Sequence, residues 1–108
     1  MGVSLSVLDP MRRRRPPRSF AWIDHRFRDR LAELELPELA LYVFLVLAAD
    51  ARGLSCWRLD RIEAMLGHTV SRQELFRARQ RLIELGLIAY RSWSAHSPDG
   101  SYQVLALT

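Results

Sequence analysis

The sequence predicts a mainly α fold with a small β-hairpin: a three-helix core closed by two strands. Three observations carry this expectation. Segment 72–85 has both a helix start and a helix stop written into it. Segment 37–53 is apolar on every face of a helix. Segments 87–91 and 101–108 alternate apolar and polar residues and are separated by a Pro-Asp-Gly turn signal.

Taken in order, residues 1–19 end in MRRRRPPRS, where like charges repel and two prolines oppose a helix. They read as a flexible arginine-rich arm, and residues 20–108 as a single domain. The opening MGVSLS matches a myristoylation pattern of the kind that arises easily by chance, and Met11 is an alternative start. FAWID, 20–24, reads as short and extended. From His25 to Leu36, Phe27, Leu31 and Leu34 recur at helical spacing. Segment 37–53 follows, with Pro37 suited to a first helical position and Gly53 to the stop. Its apolar faces predict a central, buried helix, part of which would be free to join a dimer interface. LSCW, 54–57, is strand-like, with Cys56 expected as a small core residue. RLDRIEAML, 58–66, is a short amphipathic helix with Leu59, Ile62 and Leu66 inward.

The stretch 70–90, VSRQELFRARQRLIELGLIAY, is the most fully specified. Ser71 and Glu74 form a capping box, and Val70 and Leu75 form a hydrophobic staple. Gly86 suits a left-handed stop, with Leu87 folding back on Leu82. A helix over 72–85 follows, then a strand at 87–91, the loop SWSAHSPDG, and a returning strand at 101–108.

Charge is unevenly spread. The formal net charge is +4, with sixteen basic residues, all arginine. Residues 1–19 hold five arginines and one acid, and residues 20–108 eleven of each sign. Residues 29–50 are acidic, whereas 71–86 carry four arginines against two glutamates. A neutral domain with one basic helix and a basic arm is a layout common among nucleic-acid binders.

The order helix, short strand, helix, turn, helix, strand, loop, strand, with RLDRIEAMLGHTVSRQELFRARQRLIELGLIAY at its centre, resembles the winged helix-turn-helix superfamily over residues 37–108. F.WID followed by LALYVFLVLAADARG is loosely similar to the winged-helix domains of bacterial replication initiators and mobile-element proteins. The resemblance implies that the helix at 72–85 enters the major groove of double-stranded DNA and that the loop of the hairpin is a wing. On a helical wheel, Leu75, Ala78, Leu82 and Leu85 share the inward side, while Gln73, Arg77, Gln80 and Glu84 lie opposite, flanked by Phe76 and Arg81. Arginine pairs bidentately with guanine and glutamine with adenine. The expected contact set is therefore Arg72, Gln73, Phe76, Arg77, Gln80 and Arg81, with Arg77 on a base edge and Arg72 on phosphate. Arg91, Trp93 and His96 are available from the wing. Trp93 has the alternative of folding over the hairpin, and His96 that of a solvated loop residue. Arg12, Arg13, Arg14 and Arg15, with Arg18, would follow phosphates or enter a minor groove. Three fates are open to Phe76: a thymine methyl, a protein interface, or burial under the N-terminal segment.

The expected function is a sequence-selective DNA-binding regulator, or an accessory factor in replication or mobile-element movement. The alternatives are a protein adaptor docking through the acidic 29–50 region or Phe76, and a non-specific architectural binder driven by the arm. Catalysis is not expected. His25, His68 and His96 are scattered, and no phosphate loop, metal spacing, cofactor motif or nucleophile elbow is present. The longest apolar run, Leu39 to Ala49, is too short to span a membrane, and the start lacks the order of a signal peptide. A cytoplasmic, nucleoid-associated bacterial protein is expected, with a homodimer as a possible state.

Overall fold

The computed structural model describes residues 6, 8–15 and 17–108. Most of MGVSLS lies outside the described residues. The fold is mixed α/β, with three α-helices, two 3-10 segments and one three-stranded antiparallel sheet among the described residues. The arm is not wholly irregular: Pro10–Arg12 is a 3-10 turn, closed by Asp9, whose carboxylate accepts from the Met11 amide at 3.1 Å.

The helix expected over 25–36 is a 3-10 segment, His25–Glu33. Asp24 starts it by accepting from the Arg26 amide through its side chain and from the Phe27 amide through its carbonyl. A three-residue turn brings Phe27 and Arg30 to one side. Phe27 then stacks on Tyr42 with centroids 4.4 Å apart, and Arg30 donates to the Leu85 carbonyl at 3.1 Å. Leu31, expected inward, is exposed.

Helix α1, Leu36–Ala48, starts as expected near Pro37, with Glu35 and Glu38 forming a capping box. It stops five residues before Gly53. Asp50 accounts for the difference, because its carboxylate accepts from the Arg52 and Leu54 amides at 2.8 and 2.9 Å. Those bonds offer the backbone a turn in place of another helical one. Gly53, at φ 85°, ends the turn and leads into β1, Leu54–Trp57. Nor is α1 buried all round: Leu41, Tyr42, Phe44, Leu45 and Val46 are in the core, while Leu36 and Leu47 face outward.

Helix α2, Leu59–Met65, buries Leu59 and Ile62 as expected. Helix α3, Arg72–Glu84, has both predicted caps. Ser71 Oγ accepts from the Glu74 amide at 3.1 Å, and Glu74 Oε1 from the Ser71 amide at 3.0 Å. At the other end Gly86 takes φ 73°, the Leu87 amide donates to the Leu82 carbonyl, and the Gly86 amide to that of Ile83. These are the two bonds of a Schellman stop. Leu75, Leu82 and Leu87 have no exposed surface, so the caps fix a helix already pinned to the core.

Strands β2, Ile88–Ser92, and β3, Gly100–Val104, pair antiparallel with Tyr90 opposite Tyr102. The hairpin is not alone. β1 pairs with the far edge of β3, Ser55 opposite Tyr102, giving the order β1-β3-β2. Cys56, expected in the core, is exposed, with its sulfur 3.4 Å from Ser101 Oγ.

Candidate nucleic-acid interface

The outward face of α3 carries Arg72, Gln73, Phe76, Arg77, Gln80 and Arg81, all exposed. They share one helix, so the structure brings them together. Their electrostatic states differ. Arg72 Nε lies 3.3 Å from Glu63 Oε1 on α2, which draws it toward its own protein. Arg81 lies 3.7 Å from Glu84 one turn on. Arg77 has no ion-pair partner among the described residues, leaving its guanidinium the freest of the three. Glu74, the acid nearest the helix start, is committed to the cap. The hydrogen bond from the Ser71 amide holds its carboxyl below the ordinary range.

The fourth arginine, Arg79, points the other way. It sits four residues after Leu75 and three before Leu82, on the apolar side of the helix, and is 2% exposed. Its Nη1 donates to the Pro98 carbonyl at 2.7 Å and to the Tyr102 hydroxyl at 3.0 Å. Its guanidinium lies 4.0 Å from the Tyr90 ring centroid and 5.1 Å from that of Phe76. Tyr90 and Tyr102 are themselves 5.0 Å apart. Burial raises the Tyr102 hydroxyl pKa, and the bond from Arg79 opposes the rise. Arg79 thus ties α3 to β2, to β3 and to the loop between them. Sequence reasoning missed it, although its wheel position was a signal.

The loop 93–99 is built by polar bonds. The Trp93 amide donates to the Asp99 carbonyl at 3.0 Å, and Ser92 Oγ to the Ser97 carbonyl at 2.6 Å. Asp99, also missed, accepts from the Leu59 amide at 2.7 Å, so the base of the loop serves the first turn of α2. His96 stands at φ 68° and is exposed, as are Arg91 and Trp93. Trp93 does not fold over the hairpin.

Phe76 is 46% exposed, with Arg79 beside its ring, so it is not buried under the N-terminal segment. Arg12, Arg13, Arg14, Arg15 and Arg18 are exposed. The acids of 29–50 do not gather into one free face. Glu33 pairs with Arg30, Glu38 is buried in the α1 cap with Glu35, and Asp50 holds the turn.

Among the described residues, no group of three or more His, Cys, Asp or Glu is placed to hold a metal ion. No helix among them is long and apolar enough to cross a membrane. Comparison with known proteins gave no match, whether to a family model, a curated sequence or a solved structure.

Proposed function

We propose that this chain is a winged-helix protein that binds double-stranded DNA with sequence preference, acting as a regulator or as an accessory factor in replication or mobile-element movement. The observation that carries the reading is the division of labour among the arginines of α3. Arg79 is turned inside, holding the helix to the hairpin. Arg77, with Gln73 and Gln80, is left outside on a helix fixed at both ends. A rigid helix presenting arginine and glutamine suits bidentate reading of guanine and adenine edges. Arg81 flanks this reading set, and Arg72, at the start of the helix, would reach phosphate by giving up Glu63. Arg91 and His96 extend the surface from the wing, and Arg12 to Arg15 add a row of cations for the backbone.

The test is selection from a random duplex library, using the full chain and a version lacking residues 1–19, at two salt concentrations. One enriched motif in both versions supports reading by α3, and a palindromic motif adds a homodimer. Binding without a motif, lost with the arm, overturns sequence preference in favour of an architectural binder.

A second reading, the protein adaptor, is favoured by one observation. The outward side of α1, with Leu36 and Leu47, forms an apolar groove with Trp57 and Met65. That reading predicts a partner complex that survives Arg77→Ala.

A further inference from the structure

A pocket of about 620 Å³ lies between residues 20–24, the end of α1 with the turn after it, and β3 with residues 105–107. No residue of α3 lines it. Its walls are mixed, with Tyr42, Val46 and Leu107 standing beside Asp24, Asp50 and Gln103. Its size falls within the range of small-molecule sites. Phe20 and Trp22 form its lip and are 64% and 74% exposed. Two aromatic rings this bare, two positions apart, mark a surface made for contact.

The chain leading up to that lip is cationic. Arg12, Arg13, Arg14, Arg15 and Arg18 precede it, and no acid falls between Asp9 and Asp24. The two carboxylates in the pocket wall are already engaged. Asp24 is 2.7 Å from Arg26 Nη2, and Asp50 is 3.3 Å from Arg52 Nη2. A polyanion approaching from the arm therefore meets no unpaired acid there.

We infer that Phe20 and Trp22, with the pocket behind them, form a second site that takes an unpaired base of a single-stranded nucleic acid whose phosphates lie along the arm. The spacing of the two residues admits this occupant. Residues two apart in an extended chain are separated by at most about 7 Å. A base held between two rings needs two stacking gaps of about 3.4 Å each, the rise of a nucleic-acid strand. In a duplex both faces of a base are covered by its neighbours, so a ring reaches one only when the base is unpaired. Stacking on aromatics combined with a cationic track is the general means of holding single strands. The site shares the arm with the duplex reading proposed above but uses no residue of α3, so it does not depend on base reading by that helix.

The test uses the full chain, a short oligothymidylate and a duplex of the same length. Tryptophan fluorescence and anisotropy are followed together. Oligothymidylate is expected to bind and to quench part of the emission. Trp22→Ala should weaken this binding by about 5- to 150-fold, from the ~1–3 kcal/mol that one stacked base contributes. Trp22→Phe keeps a stacking ring, so most of the affinity should remain while the quenching disappears. Arg77→Ala should leave oligothymidylate binding unchanged. The inference is overturned if oligothymidylate does not bind, or if Trp22→Ala binds it within about twofold of wild type. Binding of anionic vesicles with no oligothymidylate binding also overturns it, by giving the lip to lipid. Loss of duplex binding alone counts against the α3 reading and leaves this site standing.

Discussion

Replacing Arg79 tests the join between α3 and the hairpin most directly. In Arg79→Ala the Pro98 carbonyl and the Tyr102 hydroxyl both lose their donor. Hydrogen bonds from a charged donor contribute about 1.5–3 kcal/mol each, and a desolvated cation over a ring adds about 2 kcal/mol. Against this stands the cost of burying a guanidinium with no carboxylate in ion-pair range among the described residues, several kcal/mol that the variant no longer bears. The truncation also opens a void beside Tyr90. The balance is a loss of about 2–4 kcal/mol, or roughly 10–30 °C in Tm for a domain of this size. Arg79→Met fills most of the space and leaves only the two orphaned oxygens, so it should cost about 1–2 kcal/mol. Urea denaturation followed by circular dichroism measures both variants. Hydrogen exchange adds the local readout: the amides of Trp93 and Leu59, held by Asp99, should exchange faster in Arg79→Ala. A loss under about 0.5 kcal/mol, well below the typical cost of such a change, with exchange unaltered, would refute the argument that Arg79 holds the loop.

Other outcomes follow from the same geometry. Arg77→Ala and Gln80→Ala should each relax the selected DNA motif at one position, at about 1–3 kcal/mol of discrimination; an unchanged motif removes them from the base-reading set. Replacing Arg12 to Arg15 with alanine should lower the salt dependence of duplex affinity by nearly one log unit per log unit for each phosphate no longer neutralised, read from a titration series. Ser71→Ala removes the α3 cap and should cost about 0.5–2 kcal/mol in urea denaturation, without altering the motif. Asp24 is held down to about 2 by its side-chain hydrogen bond with Arg26, against an ordinary 3.8. A depressed carboxyl stabilises the fold above its unfolded value, so this contribution is full above 3.8 and is lost as pH falls from there toward about 2. Asp24→Asn should flatten the acid limb of stability against pH in that window, and an unaltered slope would assign the acid sensitivity elsewhere.

The local elements are legible where short-range chemistry decides them. Both ends of α3, the inward side of α2 and the first hairpin strand follow from caps, glycine and alternation within a few residues, whereas the returning strand, expected over 101–108, is Gly100–Val104. Where a side chain competes with the helix, the apolar pattern misleads. The run from Leu39 to Ala49 suggests that α1 continues, and the carboxylate of Asp50 ends it. Phe27, Leu31 and Leu34 suggest an α-helix, but the segment tightens so that Arg30 reaches the carbonyl at Leu85. Long-range pairing is illegible. Four residues, LSCW, say nothing about a partner some forty-six residues away, so neither the joining of β1 to β3 nor the outward turn of Cys56 can be read from them. In the candidate site the outward set on α3 is readable from the wheel. Arg79 escapes such a reading because a cation is expected in water, and its place depends on two tyrosines supplied by the hairpin. Phe20 and Trp22 give no sign in sequence of standing bare.

The strand order β1-β3-β2 also sets the order of assembly. β3 is the last strand in sequence and the middle one in space, so β1 and β2 cannot be joined as a sheet until it arrives. During synthesis the ribosome will have released β1, and later β2, while both still expose unpaired backbone. Only when residues 100–104 emerge can the two be stitched together, in one late step that closes loops of very different length. A nascent chain stalled within the preceding loop should therefore carry its helices without a sheet. Such an intermediate offers two bare strand edges to chaperones or to other nascent copies.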